Sequence, residues 1–210
     1  MRYKSLINVT DAELEEQFPW IKKADIENAV IEVEDGILIW YDGTWNDGTW
    51  EKGVWKNGIW FDGLWIYGRW ENGKWFDGIW KSGSWFRGEW HDGIWDSGIW
   101  FNGKWYDGIW ENGTWENGTW YNGTWRIGTW EDGIWKDGIW KEGNWYRGEW
   151  NDGDWYDGTW SNGIWKNGFW HDGKWENGYF LNGYWKSGKW VKGNWIGGYQ
   201  CVYQDNNDFM

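Results

Sequence analysis

The chain has 210 residues, including 32 Trp and 34 Gly but only one Pro and one Cys. A single cysteine excludes an intramolecular disulfide and a cysteine metal cluster. The formal net charge of −13 argues against direct nucleic-acid binding, because such a surface would be basic. No segment approaches the roughly 20 apolar residues of a membrane span, and the first residues lack a signal-peptide core. We therefore expect a cytoplasmic protein that does not enter a membrane.

Residues 1–40 differ in kind from the rest, and we predict that residues 1–23 form a cap with a short helix. Thr10 followed by Glu13 forms a capping box, the residues after Thr10 favour a helix, and Pro19 ends it. A repeat array needs such a cap, because its first strand edge would otherwise be free to aggregate.

Residues 41–195 consist of 31 five-residue units, such as Lys56-Asn57-Gly58-Ile59-Trp60. Gly is always third, and Trp is always fifth except at Phe180. Because units of fixed period stack on their neighbours, this pattern is typical of a solenoid.

Within a unit, Gly and Trp lie two residues apart and share one face of an extended segment. Charged residues occupy the first and fourth positions, so these positions face water and Trp faces inward. Asp or Asn at the second position, in 21 of 31 units, predicts a corner with the following Gly. A meander of tight hairpins is the alternative. In its three-residue strands, however, the first and last residues would direct their backbone hydrogen bonds toward the same neighbouring strand, whereas a meander needs opposite neighbours. We therefore predict an all-β, single-stranded parallel β-helix with inward Trp ladders.

The number of units per coil can be argued in two ways. A square coil of twenty residues leaves on the order of 600 Å³ per layer, about what four indoles need, and a triangular coil of fifteen leaves perhaps a quarter of that. On a fifteen-residue grid, however, seven of the ten units lacking Asp or Asn align. The volume favours four units per coil, which we adopt as the prediction, and three units remain the alternative. The seven aligned residues are Lys52, Tyr67, Ser82, Ser97, Ile127, Glu142 and Ser187.

The spacing of small and large apolar residues resembles that of the pentapeptide-repeat proteins, which form a right-handed square β-helix. Two units close to that consensus, Ala24-Asp25-Ile26-Glu27-Asn28 and Ala29-Val30-Ile31-Glu32-Val33, precede the Trp array. The resemblance covers residues 24–200, which we predict to be the solenoid, with residues 201–210 as a C-terminal strand and tail. In this chain Asp or Asn precedes the small residue, whereas it follows that residue in the family. The repeats are also loosely similar to uncharacterised bacterial and bacteriophage proteins, which would imply a virion location for a phage protein.

Catalytic, cofactor and metal sites are not indicated. The only histidines, His91 and His171, lie 80 residues apart and cannot share a proton or a metal. Asp interchanges with Asn at the second position, which suits a turn better than a calcium ladder. We expect no catalytic residue, no metal, no cofactor and no enzymatic activity.

Aromatic residues at the first position are the best candidates for an interaction surface, because exposed apolar stripes usually mark interfaces. On the twenty-residue grid, one side of the rod is acidic and the aromatic residues share two neighbouring sides. Tyr41, Phe61, Phe101 and Tyr121 lie on one of these, and Phe86, Tyr106 and Tyr146 lie on the next. The candidate interaction surface comprises Tyr41, Phe61, Phe86, Phe101, Tyr106, Tyr121 and Tyr146. The candidate acidic face comprises Glu51, Glu71, Glu111 and Glu131.

These features predict a non-enzymatic scaffold that presents a rigid surface to a protein partner or to itself. Two alternatives remain. The resemblance implies an acidic rod that mimics DNA and binds a DNA-binding enzyme such as a topoisomerase, and the surface aromatics suggest a carbohydrate or peptide ligand.

Overall fold

A computed structural model describes residues 1–200, and it confirms an all-β parallel β-solenoid with inward Trp ladders. Each unit contributes a two-residue strand that ends at the ladder residue and pairs in parallel with the strand one coil away. Ile79 pairs with Ile94, and Trp80 pairs with Trp95. One side of the solenoid is an 11-stranded sheet with one strand per turn, so the solenoid has about 11 turns.

The coil contains three units, so the prediction of a square coil with four units is wrong. Every parallel pairing in the array joins residues fifteen apart, as Ser84 pairs with Ile99 and Glu89 pairs with Lys104. The cross-section is therefore triangular, with one Trp ladder on each of three sides. We call these the first, second and third sides, after the ladders that begin at Trp40, Trp45 and Trp50.

The strands of each side follow one another along the rod. The first side contains Val54–Trp55, Arg69–Trp70, Ser84–Trp85, Ile99–Trp100, Thr114–Trp115, Thr129–Trp130, Asn144–Trp145, Thr159–Trp160, Lys174–Trp175 and Lys189–Trp190. The second side contains Ile59–Trp60, Lys74–Trp75, Glu89–Trp90, Lys104–Trp105, Thr119–Trp120, Ile134–Trp135, Glu149–Trp150, Ile164–Trp165, Tyr179–Phe180 and Asn194–Trp195. The third side contains Thr49–Trp50, Leu64–Trp65, Ile79–Trp80, Ile94–Trp95, Ile109–Trp110, Thr124–Trp125, Ile139–Trp140, Asp154–Trp155, Phe169–Trp170, Tyr184–Trp185 and Tyr199–Gln200.

The core consists of indole rings, and every ladder Trp from residue 40 to residue 175 is fully buried. Along one ladder the rings stack in parallel, with Trp80 and Trp95 at 4.8 Å and 6°. Between sides they meet edge to face, with Trp80 and Trp85 at 6.0 Å and 75°. Both arrangements suit the aromatic quadrupole. The buried indole N–H groups of the ladder residues from Trp40 to Trp175 have no hydrogen-bond acceptor within the described part of the chain.

The corner glycines explain why three indoles fit where the volume argument allowed too little space. A Cβ added to Gly88 would lie 3.1 Å from Trp85 Cζ2, so the indole occupies the space that a side chain would take. Such a Cβ would also lie 2.4 Å from the carbonyl oxygen of Gly73 on the preceding coil. The wall is therefore one backbone thick at each corner, thinner than the average wall that the volume argument subtracted.

Two backbone hydrogen bonds per unit join neighbouring coils. The Ile94 N–H donates to the Gly78 carbonyl at 2.9 Å, and the Asp96 N–H donates to the Trp80 carbonyl at 2.7 Å. Because this pattern recurs on all three sides, each coil rests on the one before it through six such bonds.

The N-terminal cap contains strand β1 (Tyr3–Ile7), helix α1 (Asp11–Gln17) and a 3₁₀ helix (Ile21–Lys23). The predicted capping box is confirmed, since the side chains of Thr10 and Glu13 satisfy each other's backbone N–H groups. Trp20 packs edge to face on Trp50 at 5.0 Å and so covers the start of the third side.

The first and second sides are covered by a strand that runs in the opposite direction. Strand β2 (Asp25–Glu34) pairs antiparallel with β3 (Ile37–Asp47), and Asp35 and Gly36 form the positive-φ turn between them. Ile31 lies opposite Trp40 in this pairing. The two family-like units of residues 24–33 thus form one strand of a hairpin, and the pairing of strands fifteen residues apart begins at Ile39. The predicted strand and tail at residues 201–210 lie outside the described residues.

Candidate interaction surfaces

Each side of the solenoid carries two outward columns, formed by the residue before and the residue after each ladder position. Salt bridges between the residue before and the residue after the same ladder position show that both columns lie on one side. Arg69 Nε lies 3.2 Å from Glu71 Oε1, and His91 Nε2 lies 3.8 Å from Glu89 Oε2. The residues two positions after each ladder Trp, mostly Asp or Asn, lie at the corners.

The third side carries an outward column of aliphatic residues, which we call the aliphatic column. Its members pair in direct register from coil to coil, and Ile79 is 37% exposed although it belongs to a strand. At about 4.8 Å per coil the column is roughly 24 Å long. The other members are half-exposed, and contiguous apolar residues at the surface of a sheet indicate an interaction surface. The column consists of Leu64, Ile79, Ile94, Ile109, Thr124 and Ile139.

Beside the aliphatic column runs a second column that contains both acidic and basic residues, which we call the charged column. Lys81 Nζ lies 3.0 Å from Asp96 Oδ2, and Arg126 Nε lies 3.4 Å from Glu111 Oε1. The Lys141 ammonium lies 3.8 Å from the centre of the Tyr156 ring. The charged column consists of Glu51, Ile66, Lys81, Asp96, Glu111, Arg126, Lys141, Tyr156, His171 and Lys186.

The second side carries a stack of five exposed or half-exposed rings, which we call the aromatic ladder. Successive ring centres are 5.1, 4.6, 4.9 and 4.9 Å apart, and the planes differ by no more than 15°. Neighbouring rings cover each other's faces, so the stack presents mainly ring edges to solvent. The aromatic ladder consists of Phe61, Phe76, His91, Tyr106 and Tyr121.

Glu89 lies between two lysines beside the aromatic ladder. Its carboxylate is 3.5 Å from Lys74 Nζ and 3.4 Å from Lys104 Nζ. Burial alone would raise the pKa of Glu89, but hydrogen bonds and charge from Lys104 and Lys74 outweigh burial and lower it. The same bond to Glu89 raises the pKa of Lys104. This cluster is a network of ion pairs on a solvated surface.

One corner of the triangle carries Asp or Asn on every coil from residue 47 to residue 182. This corner separates the second side from the third, and we call it the acidic corner. The Asp92 carboxylate accepts a hydrogen bond from the Gly93 N–H at 2.7 Å, which stabilises the turn. The acidic corner consists of Asp47, Asp62, Asp77, Asp92, Asp107, Asn122, Asp137, Asp152, Asn167 and Asn182.

The predicted aromatic surface occupies two sides, but its members are grouped differently from the prediction. Phe86 and Phe101 stack at 4.7 Å, in the same column as Tyr41 and Tyr146 on the first side. Phe61, Tyr106 and Tyr121 belong to the aromatic ladder of the second side. The grouping of Tyr41 with Phe61 on one face is therefore wrong, because the twenty-residue grid on which it rested is wrong.

The predicted acidic face is wrong for the same reason. Glu71 and Glu131 lie on the first side, whereas Glu51 and Glu111 lie on the third. Thr114 and Thr129, which a twenty-residue grid would place on different sides, pair directly. The aliphatic column was missed because its members are scattered on a twenty-residue grid. The fifteen-residue alignment of Lys52, Tyr67 and the other exceptional residues was the signal that would have found it.

Within residues 1–200, no group of three His, Cys, Asp or Glu side chains is arranged to hold a metal ion. No helix in the same range is long and apolar enough to cross a membrane. No protein-family model matches the chain, and the search of curated proteins found no match. The resemblance to pentapeptide-repeat proteins therefore remains an expectation from the sequence.

Proposed function

We propose that the protein is a non-enzymatic structural rod whose third side binds another protein or a second copy of itself. The aliphatic column is the observation that supports this function. Polar residues would suffice at these positions, since the Trp ladders already supply the core. Five Leu or Ile side chains instead stand on the outside of one flat sheet, where burial by a partner is favourable.

The two outward columns of the third side complement each other as parts of an interface. The aliphatic column provides an apolar centre, and the charged column provides a polar border that can select the partner. Half-exposed aliphatic side chains gain about 25 cal/mol for each Å² that a partner removes from water.

A pair of matched substitutions tests this function. Ile94→Glu places a charge in the aliphatic column, whereas Ile99→Glu places the same charge at the equivalent position of the first side. We expect Ile94→Glu to abolish self-association in light scattering, or capture of a partner identified by mass spectrometry, and Ile99→Glu to preserve it. Equal behaviour of both variants, or no association of the parent with any protein, would contradict the proposal.

The acidic corner supports a second candidate, an acidic rod that binds the basic groove of a DNA-binding enzyme such as a topoisomerase. Seven of the ten acidic-corner residues are Asp, and the chain has a formal net charge of −13. Asn preserves the shape of Asp, so a triple variant with Asp62→Asn, Asp77→Asn and Asp92→Asn removes charge alone. We expect this variant to bind such an enzyme more weakly, with a smaller dependence on salt. Unchanged binding would exclude the acidic corner.

A further inference from the structure

We propose that the partner of the third side is a second copy of this chain, packed face to face with the two rods antiparallel. The inference rests on the proposed function, because it names the occupant of the same surface. Its basis is an asymmetry in the charged column. The three acidic residues lie in its N-terminal half, and three of its four basic residues lie in the C-terminal half. The acidic members are Glu51, Asp96 and Glu111, and the basic ones of the C-terminal half are Arg126, Lys141 and Lys186.

In a two-fold symmetric dimer, the N-terminal half of one charged column faces the C-terminal half of the other, so acidic residues face basic ones. A two-fold axis perpendicular to the rods and in the plane of the interface places each column opposite itself in reverse order. If the axis passes between the coils of Glu111 and Arg126, these two residues face each other across the interface. Every coil on one side of the axis then faces its counterpart on the other side.

In this register each acidic residue of the charged column faces a basic one, and no like charges meet. Lys81 faces the Tyr156 ring, which attracts its ammonium group through the ring quadrupole. The acid–base pairs are Glu111 with Arg126, Asp96 with Lys141, and Glu51 with Lys186.

Neighbouring registers are worse. With the axis on the coil of Glu111, that residue faces its own copy and Lys81 faces Lys141. With the axis one coil beyond, Arg126 faces its own copy. Like charges placed opposite each other disfavour an interface. The charge sequence therefore specifies one register among those available to a uniform rod.

The aliphatic column fits the same register. Ile94 faces Ile139, Ile109 faces Thr124, and Leu64 faces Phe169. Asp154 faces Ile79, and its Oδ1 atom lies 3.5 Å from Nε2 of His171 in the same copy. Apolar residues therefore meet apolar residues or a methyl group near the axis, where burial is greatest.

The size of the face sets the expected affinity. Nine coil steps of about 4.8 Å and a width of three residues give a face of roughly 43 by 10 Å, or about 900 Å² over two copies. Specific interfaces begin near about 1,000 Å², so we expect a reversible dimer with a Kd in the micromolar range.

Charge reversal with mixing tests the register. One variant carries Asp96→Lys and Glu111→Lys, and the other carries Arg126→Glu and Lys141→Glu. Each variant alone places like charges opposite each other, and we expect at least a tenfold weaker dimer in sedimentation equilibrium. Mixed in equal amounts, the two variants restore all acid–base pairs, and the dimer should return.

A matched control carries Glu116→Lys and Glu131→Lys on the first side. It changes the net charge as much as the variant with Asp96→Lys and Glu111→Lys does. This control should dimerise like the parent, and circular dichroism verifies that all variants are folded. Mixing that does not restore the dimer would overturn the register. A monomeric parent would overturn self-association, yet the proposed function would survive if Ile94→Glu still abolished capture of a different protein.

Discussion

Asn122 follows Asp107 by one coil at the acidic corner, and its amide nitrogen donates to Asp107 Oδ2 at 3.3 Å. Asn167 makes the same contact with Asp152 Oδ2 at 3.1 Å. At these two steps of the corner an amide follows a carboxylate, so two carboxylates do not repel each other there. Between Asp47 and Asp107, by contrast, carboxylates follow one another with no amide among them.

Replacing one of these carboxylates should stabilise the rod. Asp92→Asn preserves the side-chain oxygen that accepts the Gly93 N–H and removes repulsion from Asp77 and Asp107. We expect a gain of about 0.5 kcal/mol in the free energy of unfolding at low salt. Asn122→Asp, the converse change, should destabilise by a similar amount. Urea unfolding at low and high salt measures both, and effects that do not shrink with salt would contradict an electrostatic origin.

The corner glycines should not tolerate a side chain. At Gly93 the backbone has a φ of 115°, and a Cβ would lie 2.5 Å from the Gly78 carbonyl oxygen. We expect Gly93→Ala to cost more than about 3 kcal/mol through combined strain and overlap. Gly36→Ala is the control, because φ there is also positive at 73° but no atom lies within 4 Å. Its cost should be about 1 kcal/mol. Similar unfolding midpoints for the two variants would show that overlap with the neighbouring coil is unimportant.

Phe180 interrupts the Trp ladder of the second side. Its ring centre lies 5.7 Å from that of Trp165, whereas Trp150 and Trp165 are 4.8 Å apart. We expect Phe180→Trp to stabilise the C-terminal coils by about 1 kcal/mol, because the larger ring restores stacking. Trp120→Phe, in the middle of the same ladder, should cost about 2 kcal/mol. Thermal unfolding compares the variants, and a lower midpoint for Phe180→Trp would mean that the site is already full.

The lysines around Glu89 predict a pH dependence. The pKa of Glu89 is lower in the folded chain than its ordinary value, so its ion pairs stabilise the fold above the unfolded pKa of about 4.3. This stabilisation is lost as the pH falls through the folded pKa. From about pH 6 to about pH 3, the parent should therefore lose more stability than Glu89→Gln does. Because the cluster is solvated, the difference should stay below about 1 kcal/mol. Parallel pH profiles of the two proteins would contradict the prediction.

The sequence was sufficient to predict the inside and the outside of the solenoid. Trp and Gly two residues apart, with charged residues at the flanking positions, leave only one arrangement of faces. The number of units per coil could not be read from the regular units, because identical units look the same on any grid. Only exceptions such as Lys52, Tyr67 and Ile127 carry that information. Four units per coil follow only from a wall of average thickness, and Gly88 and its equivalents leave the indoles more space than such a wall does.

The surface columns depended on that number and were misassigned with it. The hairpin of β2 and β3 was missed for another reason. Ala24, Ile26, Ala29 and Ile31 are all buried at the five-residue spacing, as in a coil, although the strand runs in the reverse direction. Spacing alone does not distinguish the two directions. The Asp-Gly pair at residues 35 and 36 is a local hairpin signal that does.

The three-unit coil also constrains how such a gene can change its length. Loss or gain of a single unit leaves the indole core continuous, yet it carries every downstream residue on to the next side of the triangle. Leu64 and Ile79 would then no longer align with Ile94. Only insertions and deletions of three units, or multiples of three, preserve the columns. Where a surface is under selection, the rod should therefore lengthen and shorten by whole coils, that is, in steps of fifteen residues.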